Sequence, residues 1–194
     1  LLAAAEDLPG GIRLIVVRGF WTEAAKALER AWRAAATNGT PGVILDLRSA
    51  AGGDVAEVAK AARLACAPAV SMFGFETLSD GHRTDQRGGT NSPLRGPLMV
   101  LIGARTTGAA EVFAAALKAS GQGVLLVGGA TAGDPLIRDA VPFDDTRRMY
   151  VEVRRLYVAG APAEVPVRPH VAVADGPGSG AAVRAAEAAD GIAM

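Results

Sequence analysis

Two glycine-bearing junctions hold the residues best suited to chemistry. The first, Leu47-Arg48-Ser49-Ala50-Ala51-Gly52-Gly53-Asp54, follows the apolar run Val43-Ile44-Leu45-Asp46-Leu47. Adjacent glycines reach positive φ and let backbone N–H groups approach a ligand closely. That is one design for an oxyanion hole. On the glycines alone, a tight turn into a helix is the simpler reading. The second junction is Ala104-Arg105-Thr106-Thr107-Gly108-Ala109-Ala110-Glu111. A helix starting there offers unpaired N–H groups and a dipole that favours negative charge. Thr107 is a candidate nucleophile, but the same residue type in the same place is also an N-cap. A third loop, Gly128 to Asp134, is rich in small residues. It has no lysine and does not fit GxxxxGK[ST], which argues against nucleotide hydrolysis of the P-loop kind.

The remaining reactive residues are few. Cys66 is the single cysteine, so an intramolecular disulfide and a paired-thiolate zinc site are excluded. Its setting, Leu64-Ala65-Cys66-Ala67, fits a small buried hydrophobe better than a nucleophile. His82 and His170 are far apart and show no HExxH-like spacing, so no metal site or cofactor is expected. Asp46 and Arg48 fit a structural ion pair. His82 reads as a solvated loop residue, and His170 as structural.

Those junctions must be held by strands and helices. Ile12 to Phe20 is β-branched and reads as a strand, followed by a helix capped by Thr22 and running to about Ala36. Val43 to Leu47 is a second buried strand, with a helix from about Val55 to Ala65. Val70 to Phe75 is another strand, and Asp80 to Arg95 is a long loop or hairpin. Leu98 to Ile102 leads into a helix from about Gly108 to Ala119, closed by Gly121 to Gly123. Val124 to Val127 is a further strand. Leu136 to Val141 and Met149 to Tyr157 read as strands separated by the turn Asp144-Asp145. Val171 to Val173 is a short edge strand, and Gly180 to Ala189 a weak helix. This alternation predicts an α/β domain with a mainly parallel sheet flanked by helices, plus small C-terminal strands. Residues 1–194 read as one domain without an internal linker.

Composition narrows the partners. Half of the 194 residues are hydrophobic and the mean hydropathy is +0.24, which excludes a disordered chain. Twenty basic residues balance twenty acidic ones. That balance gives no electrostatic case for nucleic acid, and 5% aromatic residues make a poor base-stacking platform. No membrane span is expected, because no apolar run reaches about 18 residues. The start, Leu1-Leu2-Ala3-Ala4-Ala5, is too short for a signal sequence core and has no basic flank.

Together the junctions resemble the catalytic core of the C-terminal-processing, or tail-specific, serine proteases, whose core is related to the ClpP/crotonase fold. That family shows "ILDLRxNxGG"; here the run is Ile44-Leu45-Asp46-Leu47-Arg48-Ser49-Ala50-Ala51-Gly52-Gly53. Its strand leading into "S-A-S-A-S-E-I" is similar to Pro97 to Ile102 and then Thr106-Thr107-Gly108-Ala109-Ala110-Glu111-Val112. Its block ending "T-x-G-K" resembles Gly121 to Gly133, with Thr131 and Gly133 in register. Val167-Arg168-Pro169-His170-Val171-Ala172-Val173 resembles the closing "G-I-x-P-D-x-x-V". The resemblance spans about residues 12–173; the PDZ module that many members carry, normally N-terminal to this core, is expected to be either absent or outside residues 1–194.

The resemblance implies a serine-type peptidase whose oxyanion hole is built at Gly52, Gly53 and Ala109. It also exposes a departure. Anchored on Glu111, the nucleophile position is Gly108; anchored on Thr131 and Gly133, the general-base position is Asp134. Glycine has nothing to attack with, and aspartate is not the neutral amine of a Ser-Lys pair. The only lysines, Lys26, Lys60 and Lys118, fall on predicted helices. Three readings follow: a peptidase-like protein that binds extended peptide by strand addition without cleaving it, an atypical peptidase using Thr107 (or Thr106) with Asp134 or His82 as base, and a crotonase-like acyl-thioester enzyme. The implied partner is a polypeptide or a protein C-terminus, with a homo-oligomer left open. The implied location is extracytoplasmic, in the periplasm or cell envelope.

Overall fold

The computed structural model describes residues 2–66, 71–89, 96–120, 123–134, 137–158, 161–162 and 165–173. Strand β1 (Leu2–Asp7) pairs antiparallel with β2 (Arg13–Val17). Parallel pairing then joins β2 to β3 (Val43–Asp46), β3 to β6 (Leu98–Ile102), β6 to β7 (Val124–Gly128), and β7 to β11 (Val171–Ala172). The first sheet therefore runs β1-β2-β3-β6-β7-β11 and is parallel throughout except at β1. Its central strands show the expected burial: Ile15, Leu45 and Val100 are fully enclosed.

Helices α1 (Ala24–Thr37), α2 (Val55–Ala65) and α3 (Ala109–Ser120) complete the α/β alternation. Helix α1 buries Leu28, Ala31, Trp32 and Ala35, a spacing that turns one stripe toward the core. Helix α3 is buried nearly all round. It packs on α2, on β7 of the first sheet, and on strands of a second sheet. Phe113 of α3 meets Phe20 with ring centroids 4.8 Å apart, a favourable tilted contact.

The second sheet departs from a simple parallel alternation. Strand β4 (Ser71–Thr77) pairs antiparallel with β5 (Arg83–Arg87) and with β9 (Arg148–Val158). Strands β8 (Ile137–Pro142) and β10 (Ala161–Pro162) also pair with β9. The polar stretch after residue 80 is thus half of a hairpin. Asp144 closes the β8–β9 turn, accepting from the Thr146 and Arg147 N–H groups. The expected loop positions Asn91 and Pro93, the stop at Gly121, and the helix at 180–189 lie outside the described residues. Among the described residues, no helix is long and apolar enough to cross a membrane.

One expected cap is displaced. Thr22 does not cap α1, which begins at Ala24 after Glu23 in a left-handed conformation with φ 71°. The Ala25 N–H instead donates to Glu57 Oε2 of α2 at 3.1 Å. Glu57 also accepts from Lys60 Nζ at 2.6 Å, and that bond holds its carboxyl below the ordinary range. A partner distant in sequence thus does the work of a local cap. Asp54 is a conventional cap for α2, accepting from the Ala56 N–H at 2.7 Å.

Cys66 is fully enclosed, and burial pushes its thiol up to about 11 from 9.0. A shift of about two pH units removes thiolate roughly a hundredfold. The native protein is therefore expected to react with a maleimide at least about a hundredfold more slowly than the urea-unfolded chain. Equal labelling rates in native buffer and in urea would show that Cys66 is open to solvent.

Candidate active site

The loops leaving β2, β3, β6 and β7 meet beyond the C-terminal ends of these strands, the usual site region of parallel α/β sheets. Backbone bonds stitch them together. Phe20 donates its N–H to Gly52 O at 3.3 Å, and Asp54 donates to Phe20 O at 2.7 Å. Thr107 donates to Ala50 O at 3.0 Å, and Gly52 donates back to Thr107 O at 3.1 Å. Gly108 donates to Asp134 O at 3.1 Å, and Ala132 donates to Thr106 O at 3.0 Å. The residues singled out at the three junctions therefore share one place, although some 80 residues separate Gly52 from Asp134 in the chain.

Gly53 has a structural reason to be glycine. Its φ is 123°, and a β-carbon there would stand 2.6 Å from the N, C and O atoms of Phe20. Gly52 spends its N–H on Thr107. Among the described residues, the N–H groups of Gly53 and Ala109 have no acceptor. Ala109 opens α3, so its N–H lies at the positive end of the helix dipole.

Gly108 sits between these elements with φ 61°. A β-carbon on it would meet Gly52 Cα at 3.4 Å and Gly52 N at 3.6 Å, ordinary contact distances. Packing leaves room for a side chain there; the left-handed backbone disfavours one by about 1–2 kcal/mol.

Thr106 is fully buried, and its Oγ1 donates to Leu47 O at 2.8 Å while accepting from the Gly103 N–H at 3.1 Å. One bond closes the 103–106 turn and the other ties that turn to the chain leaving β3, so both internal contacts of the hydroxyl are structural. Thr107 is half-buried, and among the described residues its hydroxyl makes no capping bond to α3. Glu111 caps that end instead, accepting from the Gly108 N–H at 3.2 Å.

Glu111 is the side chain that organises these loops. It has no exposure. Its Oε1 accepts from Thr131 Oγ1 at 2.5 Å and the Gly133 N–H at 2.7 Å. Its Oε2 accepts from the Asp134 N–H at 2.8 Å in addition to Gly108. Thr131 extends the clasp by accepting from the Val167 N–H at 2.9 Å. One carboxylate thereby fixes the position of the 131–134 loop against α3.

The other candidates lie apart. His82 is exposed in the β4–β5 turn, where its carbonyl accepts from the Thr77 N–H at 2.9 Å. His170 Nδ1 accepts from the Leu126 N–H at 3.0 Å, extending the β7–β11 edge. Arg48 grips Asp46 through Nη2 at 2.7 Å and Nε at 3.0 Å. Lys26 pairs with Glu23 just before α1, Lys60 pairs with Glu57 on α2, and Lys118 lies in the last turn of α3, remote from Gly108. Among the described residues, no group of three His, Cys, Asp or Glu side chains is placed to hold a metal ion.

A mainly parallel α/β core with a diglycine turn against a helix N-terminus defines the class of fold. Residues 11–173 match peptidase family S41, and the chain belongs to that family. Among solved structures, it is similar to the photosystem II D1 C-terminal processing protease at 27% identity and TM-score 0.74, over 89% of this chain and 45% of that one. A lipoprotein from Streptococcus agalactiae is similar in fold at 18% identity and TM-score 0.67, over 93% and 68% of the two chains. Mature CPAF follows at 13% identity and TM-score 0.68, over 87% and 48%. The chain thus spans less than half the length of the D1 processing protease. No curated protein matches it.

Proposed function

We propose that this S41 core binds an extended polypeptide or protein C-terminus without cleaving it by the family's serine–lysine mechanism. The observation that carries the reading is Gly108. It stands at the position the resemblance gives to the nucleophile, against Gly52 and just before Ala109, and it has no reactive atom; among the described residues the N–H groups of Gly53 and Ala109 have no acceptor. Asp134, at the base position, is one hydrogen bond from Gly108. A carboxylate there cannot serve as a neutral amine base. The N–H pair keeps the capacity to hold a peptide carbonyl or terminal carboxylate. An extracytoplasmic location is proposed on family membership alone.

The test incubates the protein with reduced, carboxymethylated casein and reads new termini by mass spectrometry, while fluorescence anisotropy follows binding of labelled casein peptides. Binding with no new termini is the expected result. Cleavage that disappears in Thr107→Ala would replace the reading with an active peptidase that uses Thr107. Absence of both binding and cleavage would overturn the peptide-binding reading.

A further inference from the structure

We infer that Trp21 reads the bound peptide, its indole serving as an apolar platform on Gly52 that receives an apolar side chain of the ligand. The inference rests on the peptide-binding reading above and names the residue class that the site selects.

The chain has two tryptophans. Trp32 is 1% exposed in the core, whereas Trp21 is 54% exposed. Its backbone belongs to the site: Phe20, just before it, is bonded to Gly52 and Asp54. The indole also lies on the diglycine turn. A β-carbon on Gly52 would stand 3.4 Å from both Cζ2 and Cη2 of Trp21, and one on Gly19 only 2.7 Å from Nε1. Glycine at both places leaves the flat ring room to rest against the backbone. A β-carbon on Gly108 would in turn meet Gly52 Cα at 3.4 Å. Indole, Gly52 and Gly108 are therefore successive neighbours, and a peptide carbonyl held near Gly53 and Ala109 brings an adjoining side chain within reach of the ring.

The surroundings favour an apolar ligand group. Arg48 is engaged by Asp46, and Arg105 Nη2 donates to Ser49 Oγ at 3.1 Å. The Arg48 and Arg105 guanidinium groups of the two junctions thus already have partners, while the indole is 54% exposed and presents a large apolar face. Half-exposed aromatic anchors of this type commonly dominate peptide affinity.

The experiment uses three labelled Gly/Ser peptides that carry a single phenylalanine, lysine or serine, with wild type, Trp21→Ala and Trp21→Phe compared by anisotropy. Thermal melts establish that both variants fold. Acrylamide quenching of wild-type fluorescence adds a readout on the residue itself, because Trp32 is shielded. Wild type is expected to bind the phenylalanine peptide roughly tenfold more tightly than the serine peptide. Trp21→Ala should erase that preference, Trp21→Phe should restore part of it, and the bound peptide should protect Trp21 from acrylamide. Equal affinity of wild type and Trp21→Ala for the phenylalanine peptide would overturn the assignment while leaving peptide binding intact. So would equal binding of the lysine peptide. If wild type binds none of the three peptides, the peptide-binding reading falls and this assignment falls with it.

Discussion

Replacing Glu111 by alanine is expected to destabilise the protein by about 3 kcal/mol or more and to abolish ligand binding at the site. The reason is the number of donors that this single carboxylate satisfies. The hydroxyl of Thr131 and the N–H groups of Gly133, Asp134 and Gly108 all point at it. Alanine supplies none of the lost acceptors, and each buried donor left unsatisfied costs about 1–3 kcal/mol. Water entering the vacated space would offset part of that. For a chain of this size, the loss corresponds to a fall in melting temperature of roughly 6–12 °C. Glu111→Gln separates charge from shape. Its one carbonyl oxygen can serve the donors on one side, while its NH2 faces donors on the other, so an intermediate fall is expected. Differential scanning calorimetry reads both variants. Hydrogen exchange adds the location: in Glu111→Gln the amides of Gly133 and Asp134 should lose protection while those of β3 and β6 keep theirs. Unchanged melting temperatures would show that the 131–134 loop is held by something other than Glu111.

The clasp also explains how much of this protein a linear reading could reach. Helix α2 and strand β6 were legible because their signals are local. Asp54 stands before Val55, and Leu98 to Ile102 is an uninterrupted apolar run before the 103–108 turn. The diglycine and Gly108 were legible as a pattern, because their spacing follows a known order of motifs. What escaped was long-range. The cap of α1 comes from Glu57, on the next helix. Strand β4 pairs with β9, some 80 residues away, and nothing in its own residues says that it leaves the parallel sheet. Strand β1 is alanine-rich, with weak β-propensity, and becomes a strand by pairing with β2. Trp21 carries no signal of its own in the linear sequence. Only the folded chain shows that it rests, half exposed, on Gly52.

Gly108 allows the sharpest trial of how this site relates to catalysis. Gly108→Ser combined with Asp134→Lys is expected to cleave unstructured polypeptide, with turnover at least about a hundredfold above either single variant. The geometry favours the attempt. Gly108 donates its N–H to Asp134 O, so the two positions are already adjacent. Glu111 fixes both backbones at its Oε2. A serine β-carbon would meet Gly52 at ordinary contact distances. Its principal cost is the left-handed backbone, about 1–2 kcal/mol, or roughly 2–8 °C in melting temperature. In the double variant the serine Oγ attacks the peptide carbonyl carbon as its proton passes to the neutral lysine amine. The charge that develops on the carbonyl oxygen is then met by the N–H groups of Gly53 and Ala109. Gly108→Ser alone lacks a suitable base, and Asp134→Lys alone lacks a nucleophile, so each should stay near background. New termini found by mass spectrometry only with the double variant would make those two side chains the sole barrier to proteolysis. A double variant that folds and binds peptide yet never cuts would mean that the N–H pair and its surrounding loops are not arranged for catalysis, and that the departure from the family goes deeper than two residues.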